Sequence, residues 1–305
     1  MHQYWGFGLY ITSEIEFPEL YPFPFSEVPD ITIQYGNTPK ELRGEPTLKR
    51  VDMLVAPTEY LLKVNGIASY YASNGNRIIV QPAAGADISS VRLFLLSNAI
   101  TAILYQRNTI PLHASAVVYN EKLILFCGHS RAGKSTLATK LNALGYPIFS
   151  DDICVLKISN DDKLVIYPSY PMSKLWEDSF DLLSVQRSEL NVQLRPHLAK
   201  YGNYFHGSFD MLSRDIFCTF ILNDSHPATK EDVEIRKISS MEASLALFKM
   251  PYRQLQLDGM LKRAVNFSTL SKLSTTSSVY EIRRDQNLNT INLLAEKVIE
   301  LIHFK

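Results

Sequence analysis

Short runs that alternate apolar and polar residues dominate the first 87 residues, and this period of two is typical of β-strands. The strand candidates are Phe7–Thr12, Ile31–Tyr35, Glu59–Val64, Ile67–Ala72 and Arg77–Gln81. Asn65-Gly66 and Asn74-Gly75 separate the last three runs, and Asn-Gly is the strongest short-range signal for a hairpin turn. The pattern predicts a β-meander.

A helical period replaces the alternation after residue 87. Leu93, Leu96, Ile100 and Ile103 recur at the spacing of one helix face and predict an amphipathic helix over about 88–107. Two interpretations of this helix stay open: a hinge between two domains, or a core helix of one larger domain. The chain divides on this reading into a β-rich N-terminal domain, 1–87, and a second domain, 88–305.

The second domain mixes strands with helices and predicts an α/β (α+β) fold. After residue 213 the predicted order is β, β, α, α, β, α, with strands at Ile216–Leu222, Val233–Ile238 and Val279–Arg283 and helices at Met241–Lys249, Gly259–Leu273 and Leu288–His303. The polar stretch 184–213 is only weakly periodic. We interpret it as either a mobile lid or a long loop.

Composition excludes several functional classes. Lys+Arg and Asp+Glu are equal at 31 each, so no surplus of positive charge attracts nucleic acid or a membrane surface. The three cysteines lie in apolar, β-prone runs without metal-ligand spacing, which suits buried free thiols in a reducing compartment. The first residues lack the pattern of a signal peptide. We therefore expect a cytoplasmic protein with no nucleic-acid and no membrane partner.

The octet from Gly128 to Ser135 carries the most specific pattern of the chain. It fits G-x-x-x-x-G-K-[ST] and lies between an apolar, β-prone run and a helix-like stretch. In that context, backbone N–H groups and the positive end of the helix form a phosphate site. The residues predicted to contact a nucleotide are Gly128, His129, Ser130, Arg131, Ala132, Gly133, Lys134, Ser135 and Thr136. The Lys134 ammonium is expected to reach the β- and γ-phosphates, and the Ser135 hydroxyl to bind Mg²⁺.

A histidine is expected at the mouth of this loop. Suppose that the segments before and after Asn120 form a regular hairpin with Val118 opposite Leu123. Antiparallel counting then places His113 opposite Gly128. A buried structural histidine is the alternative interpretation.

Two adjacent carboxylates, Asp151 and Asp152, are expected at the same place. They follow a short strand, 147–150, which a helical crossover makes parallel to the strand before the loop, and ligands bind beyond the carboxyl ends of such strands. One carboxylate can hold Mg²⁺ while the other accepts the proton of an attacking hydroxyl, and His113 could keep the base ionised. The predicted metal ligands are Ser135 and Asp152, and which aspartate is the base stays open. An ordinary turn at the two aspartates is the alternative.

Three pieces in this order resemble the HPr kinase/phosphorylase superfamily: Leu-His-Ala-Ser-Ala-Val at 112–117, the loop at 128–136 and Ser-Asp-Asp at 150–152. The resemblance covers about residues 108–158. It implies a P-loop kinase core of the HPr kinase or phosphoenolpyruvate carboxykinase type, and an ATP-dependent serine kinase. By matching position it implies catalytic roles for His113, Lys134, Ser135, Asp151 and Asp152.

One motif of that family is missing. The Glu-x-Arg-Gly motif is replaced over 167–178 by Tyr-Pro-Ser-Tyr-Pro-Met-Ser-Lys-Leu-Trp-Glu-Asp, so phosphorolysis and HPr as the substrate are not expected. The full layout is more similar to the lasso-peptide tailoring kinases. These phosphorylate a serine hydroxyl at the C-terminal end of a precursor peptide.

The expected function is transfer of the γ-phosphoryl group of Mg·ATP to a serine hydroxyl of a peptide or small protein. The β-rich domain 1–87 is expected to help to recognise that acceptor. Two alternatives stay open: a kinase of a small hydroxyl compound such as free serine, and a non-catalytic, nucleotide-gated peptide-binding module. A homo-oligomer is an expectation from the resemblance alone.

Overall fold

The computed structural model of the chain describes residues 1–189, 191–223, 233–285 and 288–304. Within these ranges it is a mixed α/β fold with four sheets of nine, six, three and three strands. The strands of the nine-stranded sheet are β1 His2–Gly6, β2 Leu9–Ser13, β3 Tyr21–Pro22, β4 Ile31–Tyr35, β5 Leu48–Lys49, β6 Met53–Ala56, β7 Glu59–Val64, β8 Ala68–Ser73 and β9 Arg77–Pro82.

The strands of the nine-stranded sheet lie in the order β3-β1-β2-β4-β9-β8-β7-β6-β5. β4 runs parallel to both of its neighbours, and the other pairs are antiparallel. The predicted meander is confirmed in β7, β8 and β9, which pair in sequence order. Asn74 and Gly75 both have positive φ at the second turn, as a two-residue hairpin of this type requires.

The predicted strand Phe7–Thr12 is confirmed from Leu9 onwards, as β2, but its first two residues form a turn instead. β1 and β2 pair as a hairpin whose turn is Phe7-Gly8, with φ of +60° and +75°. Phe7 is held in this conformation by tertiary contacts that outweigh the local alternation. Its N–H donates to the Ser169 carbonyl at 2.7 Å, and its buried ring packs against Tyr170 with centroids 5.4 Å apart.

One long helical segment follows the sheet: α1 Ile88–Phe94, a π-helical turn Leu95–Ala99 and α2 Ile100–Gln106. Asp87 caps it by accepting from the N–H of Ser90 at 2.7 Å. By length and composition the segment could cross a membrane, but 72% of its most apolar window is buried inside the protein. It packs in the largest core cluster with residues from both sides of position 87. This burial favours the interpretation of a core helix.

The strands of the second part are β10 Ile110–Leu112, β11 Ala114–Tyr119, β12 Lys122–Gly128, β13 Ile148–Ser150, β14 Cys154–Ile158, β15 Leu164–Pro168, β16 Met172–Trp176, β17 Val192–Gln193, β18 Lys200–Tyr204, β19 Ile216–Asn223, β20 Val233–Lys237 and β21 Ser278–Arg284. Its helices are α3 Lys134–Ala143, α4 Glu177–Leu183, α5 Ser240–Leu247, α6 Gln254–Gly259, α7 Arg263–Thr276 and α8 Ile291–His303. The predicted element types after residue 213 are confirmed, with α6 as an addition.

The six-stranded sheet, in the order β13-β11-β12-β19-β21-β20, carries the glycine loop. Val118 lies opposite Leu123 in the predicted register. β13 is antiparallel to β11, and β11 to β12, so β13 runs in the same direction as β12. Both faces of β12 are buried: Ile124 and Phe126 pack in the core cluster that contains α3 and α8, and Leu125 packs in the largest cluster.

The stretch 184–213 is neither structureless nor a simple loop. It contributes β17 and β18, which form a small sheet with β16 in the order β16-β18-β17. β18 pairs with β16 along its whole length, from Met172 opposite Tyr204 to Trp176 opposite Lys200. Because that pairing partner lies some 30 residues away in the sequence, the local pattern did not reveal these strands.

Candidate active site

The glycine loop connects the carboxyl end of β12 to the first turn of α3. Gly128 and Gly133 have φ of +154° and +90°, conformations that favour glycine. Lys134 is the first residue of α3, and its Nζ donates to the carbonyl oxygens of Gly128 at 2.9 Å and His129 at 2.8 Å. Burial lowers the pKa of Lys134 to about 8. The ammonium therefore lies across the loop and close to the positive end of the helix.

The remaining loop side chains have separate surroundings. His129 and Ser130 are exposed, Ala132 is buried, and Ser135 lines the cavity beside the loop. The Arg131 guanidinium lies over the Trp176 ring, 4.6 Å from its centroid. Thr136 Oγ1 lies 3.1 Å from Ser179 Oγ on α4. These contacts tie the loop to β16 and α4.

His113 lies at the mouth of the loop, where the strand register predicted it. Its Nε2 is 3.0 Å from Lys134 Nζ, and its Nδ1 is 3.0 Å from the carbonyl oxygen of Asp152. Because an ammonium only donates and a carbonyl only accepts, these contacts assign the neutral tautomer with the proton on Nδ1. Burial, and then the Lys134 charge, lower the pKa of His113, which agrees with a neutral ring. A neutral ring does not supply the positive charge by which His113 was expected to keep the base ionised.

Asp151 and Asp152 occupy different environments. Asp151 is buried: its Oδ1 accepts from Ser115 Oγ at 2.6 Å, and its Oδ2 accepts from the backbone N–H of Lys174 at 2.7 Å. Asp152 has φ of +70° and lines the cavity next to the loop. Asp152 is thus the aspartate that faces a ligand, whereas Asp151 holds β16 against β11.

Lys174 is the counter-ion of Asp152. Its Nζ lies 2.7 Å from Asp152 Oδ2, and the two side chains are only 4% and 9% exposed. Burial alone would raise the pKa of Asp152, but the charges of Lys174 and then Lys200 outweigh it and hold that pKa below its usual range. Burial would likewise lower the pKa of Lys174, and Asp152 keeps it above its usual value. Both members of the pair are therefore ionised.

A cavity of about 250 Å³ opens between the loop, β16, α4 and the start of α8. The cationic side chains among its described lining are Arg131, Lys134, Lys174, Lys200 and Arg284. The carboxylates in the same lining are Asp152 and Asp178. This excess of positive charge suits a polyanionic ligand. We call this space the loop cavity.

A second cavity, of about 500 Å³, adjoins the loop cavity at Asp152. Both are lined by His113, Ser130, Asp152, Lys174, Trp176 and Lys200. We call it the outer cavity. Among the described residues, none in 1–87 lines either cavity, so acceptor recognition by that domain stays a prediction.

Two of these residues, Lys174 and Trp176, were not identified from the sequence as site residues. Lys174 does carry a signal, because it stands alone in an otherwise uncharged run, 167–176. A charge in such a run requires an opposite charge inside the protein. That rule predicts a partner for Lys174, although it does not identify Asp152.

The donor set fits a nucleotide-bound Mg²⁺ rather than an autonomous metal centre. Within the described ranges, no group of three or more His, Cys, Asp or Glu side chains could hold a metal ion. Mg²⁺ in phosphate-transfer sites takes one or two protein ligands, with phosphate oxygens and waters as the others. The Ser135 hydroxyl and the Asp152 carboxylate both line the loop cavity and match that pattern.

Comparisons with known proteins give distant structural likenesses only. No family model matches the sequence, and no curated protein matches it. Among solved structures, the Hpr(Ser) kinase/phosphatase from Coxiella burnetii is similar, with 14% sequence identity and a TM-score of 0.31. The match covers 64% of this chain and 99% of that chain. A likeness of this size does not establish membership of a family.

Proposed function

We propose that this protein is a kinase that transfers the γ-phosphoryl group of ATP to a hydroxyl group. The observation that carries the proposal is the meeting of Lys134, His113 and Asp152 at the end of β12, with 3.0 Å between the lysine and histidine nitrogens. Phosphoryl transfer needs positioned positive charge for the phosphates and a group that takes the hydroxyl proton. These three side chains supply both requirements at one cavity.

The loop cavity is the proposed nucleotide site. The phosphates would bind to the loop backbone and the first turn of α3, where Lys134 exchanges its carbonyl partners for phosphate oxygens. Mg²⁺, held by the Ser135 hydroxyl and by phosphate oxygens, would supply further positive charge to the phosphates and would leave the Asp152 carboxylate to the acceptor hydroxyl. The same cavity has an apolar surface for the adenine ring of the nucleotide, formed by Leu182, Leu288 and Ile291.

Asp152 is the proposed general base. In the reaction, the bond from the γ-phosphorus to the bridging oxygen breaks, and a new bond forms to the acceptor oxygen. The hydroxyl proton passes to the Asp152 carboxylate, and ADP leaves. The buried Lys174 ammonium keeps the carboxylate ionised until then, which makes it a weak base. A weak base fits a loose transition state, in which positioning and charge stabilisation contribute most of the rate.

The proposed acceptor is a serine hydroxyl of a peptide, and more specifically of a lasso-type precursor as the sequence resemblance implies. Support comes from the outer cavity, which meets the loop cavity at the proposed base. Its volume of about 500 Å³ lies in the usual range of ligand pockets, about 300–1,000 Å³. Its lining includes Leu93, Phe94, Leu194 and Leu198, which suit a peptide with apolar side chains.

The test is transfer of label from γ-labelled ATP to serine peptides, to free serine and to water, with ATP affinity measured separately by calorimetry. We expect label on a serine hydroxyl, and loss of both transfer and ATP affinity in Lys134→Gln. Label on free serine alone would restrict the proposal to a small acceptor. ATP binding without transfer to any acceptor would make the protein a nucleotide-gated binding module and contradict the proposal.

A further inference from the structure

We infer that Arg195 and Arg253 in the outer cavity determine acceptor specificity by binding a carboxylate beside the reacting hydroxyl. The inference rests on the proposed kinase function, because it concerns the acceptor of the same site. It begins from the division of charges between the two cavities. Lys200 lines both, whereas Arg195 and Arg253 line only the outer cavity. The two arginines are therefore positioned for the acceptor rather than for the nucleotide.

Both arginines hold their positions through uncharged groups. The Arg195 guanidinium lies over the Phe94 ring, 5.7 Å from its centroid. The Arg253 guanidinium lies 5.0 Å from the Tyr252 ring centroid, and its Nε donates to the Ser97 carbonyl at 3.2 Å. Neither arginine forms an ion pair with any residue that the structure describes.

The outer cavity contains no acidic group that could neutralise these arginines. Among the described residues that line it, Asp152 is the single carboxylate, and Lys174 is already its partner at 2.7 Å. Each guanidinium has five N–H donors in a planar fork, the geometry that matches a carboxylate. Arg253 is exposed and Arg195 is partly exposed, so both guanidinium groups are open to an anionic group on the acceptor.

The helical segment that contains the π-helical turn Leu95–Ala99 contacts both arginines. A π-turn changes the hydrogen-bond pattern of a helix and is frequent at functional sites. Here the Ser97 carbonyl accepts from Arg253 Nε and from Thr101 Oγ1, while Ser97 and Phe94 line the outer cavity. The same helical segment thus positions both arginines, one through a ring and the other through a carbonyl oxygen.

A hydroxyl near a carboxylate is the chemistry of free serine and also of a peptide that ends in serine. The apolar part of the outer cavity, Leu93, Leu194 and Leu198, favours the peptide, because free serine has no apolar surface to bury there. The two sources share the carboxylate and differ in what precedes it. The experiment can therefore separate them.

The experiment compares acceptors that differ only at the carboxylate, using the full chain and γ-labelled ATP. The pairs are a serine-ended peptide with a free carboxylate or a terminal amide, and free serine or serine amide. We expect the carboxylate form to react with a kcat/KM about ten- to a hundredfold higher, the scale of hydrogen bonds to a charged group. In Arg195→Gln and in Arg253→Gln this preference should fall towards one.

Arg50→Gln is the matched control, because Arg50 is exposed and lines neither cavity. Faster transfer to the peptide would assign the carboxylate to a chain end, and faster transfer to serine would assign it to an amino acid. Equal rates for carboxylate and amide forms would overturn the inference, as would a preference that survives in the double variant. Failure of the kinase proposal looks different, since then no acceptor of either kind gains label.

Discussion

At the residue scale, the site depends on two buried charges that stabilise each other. The Asp152 carboxylate and the Lys174 ammonium form a close ion pair with little solvent contact. Removal of one member of such a pair leaves an uncompensated buried charge, at a cost of roughly 3–5 kcal/mol. Any single substitution of either residue is therefore expected to lower both the stability of the protein and its transfer rate.

A double variant separates these two effects. Asp152→Asn alone should lower both the melting temperature and the transfer rate, because Lys174 then lacks a counter-ion and the hydroxyl proton lacks an acceptor. In Asp152→Asn with Lys174→Gln, thermal unfolding should recover towards the wild type, whereas kcat should stay about 10²- to 10⁴-fold low. Recovery of turnover together with stability would remove Asp152 from the proposed role of base.

Substitution of Asp151 tests a structural role beside the catalytic role that is proposed for Asp152. Asp151→Ala leaves the Ser115 hydroxyl and the Lys174 N–H unpaired inside the protein, so its main expected effect is on unfolding, at about 1–3 kcal/mol for each group. Ser115→Ala removes only one of the two contacts and serves as the control. Scanning calorimetry measures both losses.

The pKa of Lys134 makes nucleotide affinity depend on pH. With a pKa of about 8 in the free protein, the side chain is charged below that pH and neutral above it. Anionic phosphates favour the charged form and raise its pKa on binding. The Kd for ADP should therefore be lowest below pH 8 and should rise above it by up to about tenfold per pH unit.

Calorimetry in two buffers of different ionisation enthalpy measures the accompanying proton uptake, which should be largest near pH 8 to 9. Lys134→Arg is the control, since its guanidinium stays charged over this pH range and has no proton to take up. An affinity that stays constant from pH 7 to 9, without proton uptake, would contradict this account.

At the element scale, the loop depends on two glycines for different reasons. A Cβ on Gly128 would lie 2.8 Å from the backbone oxygen of Leu222 on β19, a contact that only a backbone shift can relieve. A Cβ on Gly133 would meet the Arg284 guanidinium at 2.5 Å, the end of a flexible side chain. The loop is therefore fixed more firmly at its first glycine than at its second.

This difference predicts an order of stabilities among alanine variants. Gly145→Ala isolates the cost of a positive φ, because nothing lies within 4 Å of its Cβ position, and it should lose about 1–2 kcal/mol. Gly128→Ala adds a clash with backbone and should lose roughly 1–3 kcal/mol more. Gly133→Ala should fall between them. Chemical denaturation gives the three values, and equal losses would show that the clash at Gly128 is relieved.

Local pattern was sufficient to predict the elements that carry the loop. The register of Val118 with Leu123, and hence the place of His113, followed from one short turn between two apolar runs. The role of Lys174 could not be predicted in this way, because its contact with Asp152 depends on β16, which reaches the site through long-range packing. The hairpin turn at Phe7 was missed for the same reason: its unusual backbone conformation is stabilised by Ser169 and Tyr170, far away in the sequence.

At the scale of the whole molecule, the N-terminal sheet and the second part share one apolar core. The largest cluster contains Ile33 and Tyr60 from the sheet, Ile100 from the long helix, and Leu156 and Leu270 from the second part. The sheet also contacts the segment that supports the aspartates, through Phe7 and Ser169. The boundary predicted at residue 87 therefore crosses a continuous buried region.

Expression of residues 88–305 alone tests what this shared core implies. We expect this segment to lack a cooperative thermal transition, because its half of the core would be exposed to water. Circular dichroism against the full chain measures this. A sharp transition together with retained ADP affinity would instead establish 88–305 as an independent domain.

Lys174 contacts Asp151 through its backbone and Asp152 through its side chain, so the two contacts can be changed separately. Its main-chain nitrogen serves Asp151, and its ammonium serves Asp152. Exchange of the side chain for arginine would keep a positive charge beside Asp152 but change its shape and hydrogen bonds, while the main-chain N–H that Asp151 accepts from would stay. A substitution at position 174 can therefore change the environment of Asp152 while the backbone contact that holds Asp151 in place is kept.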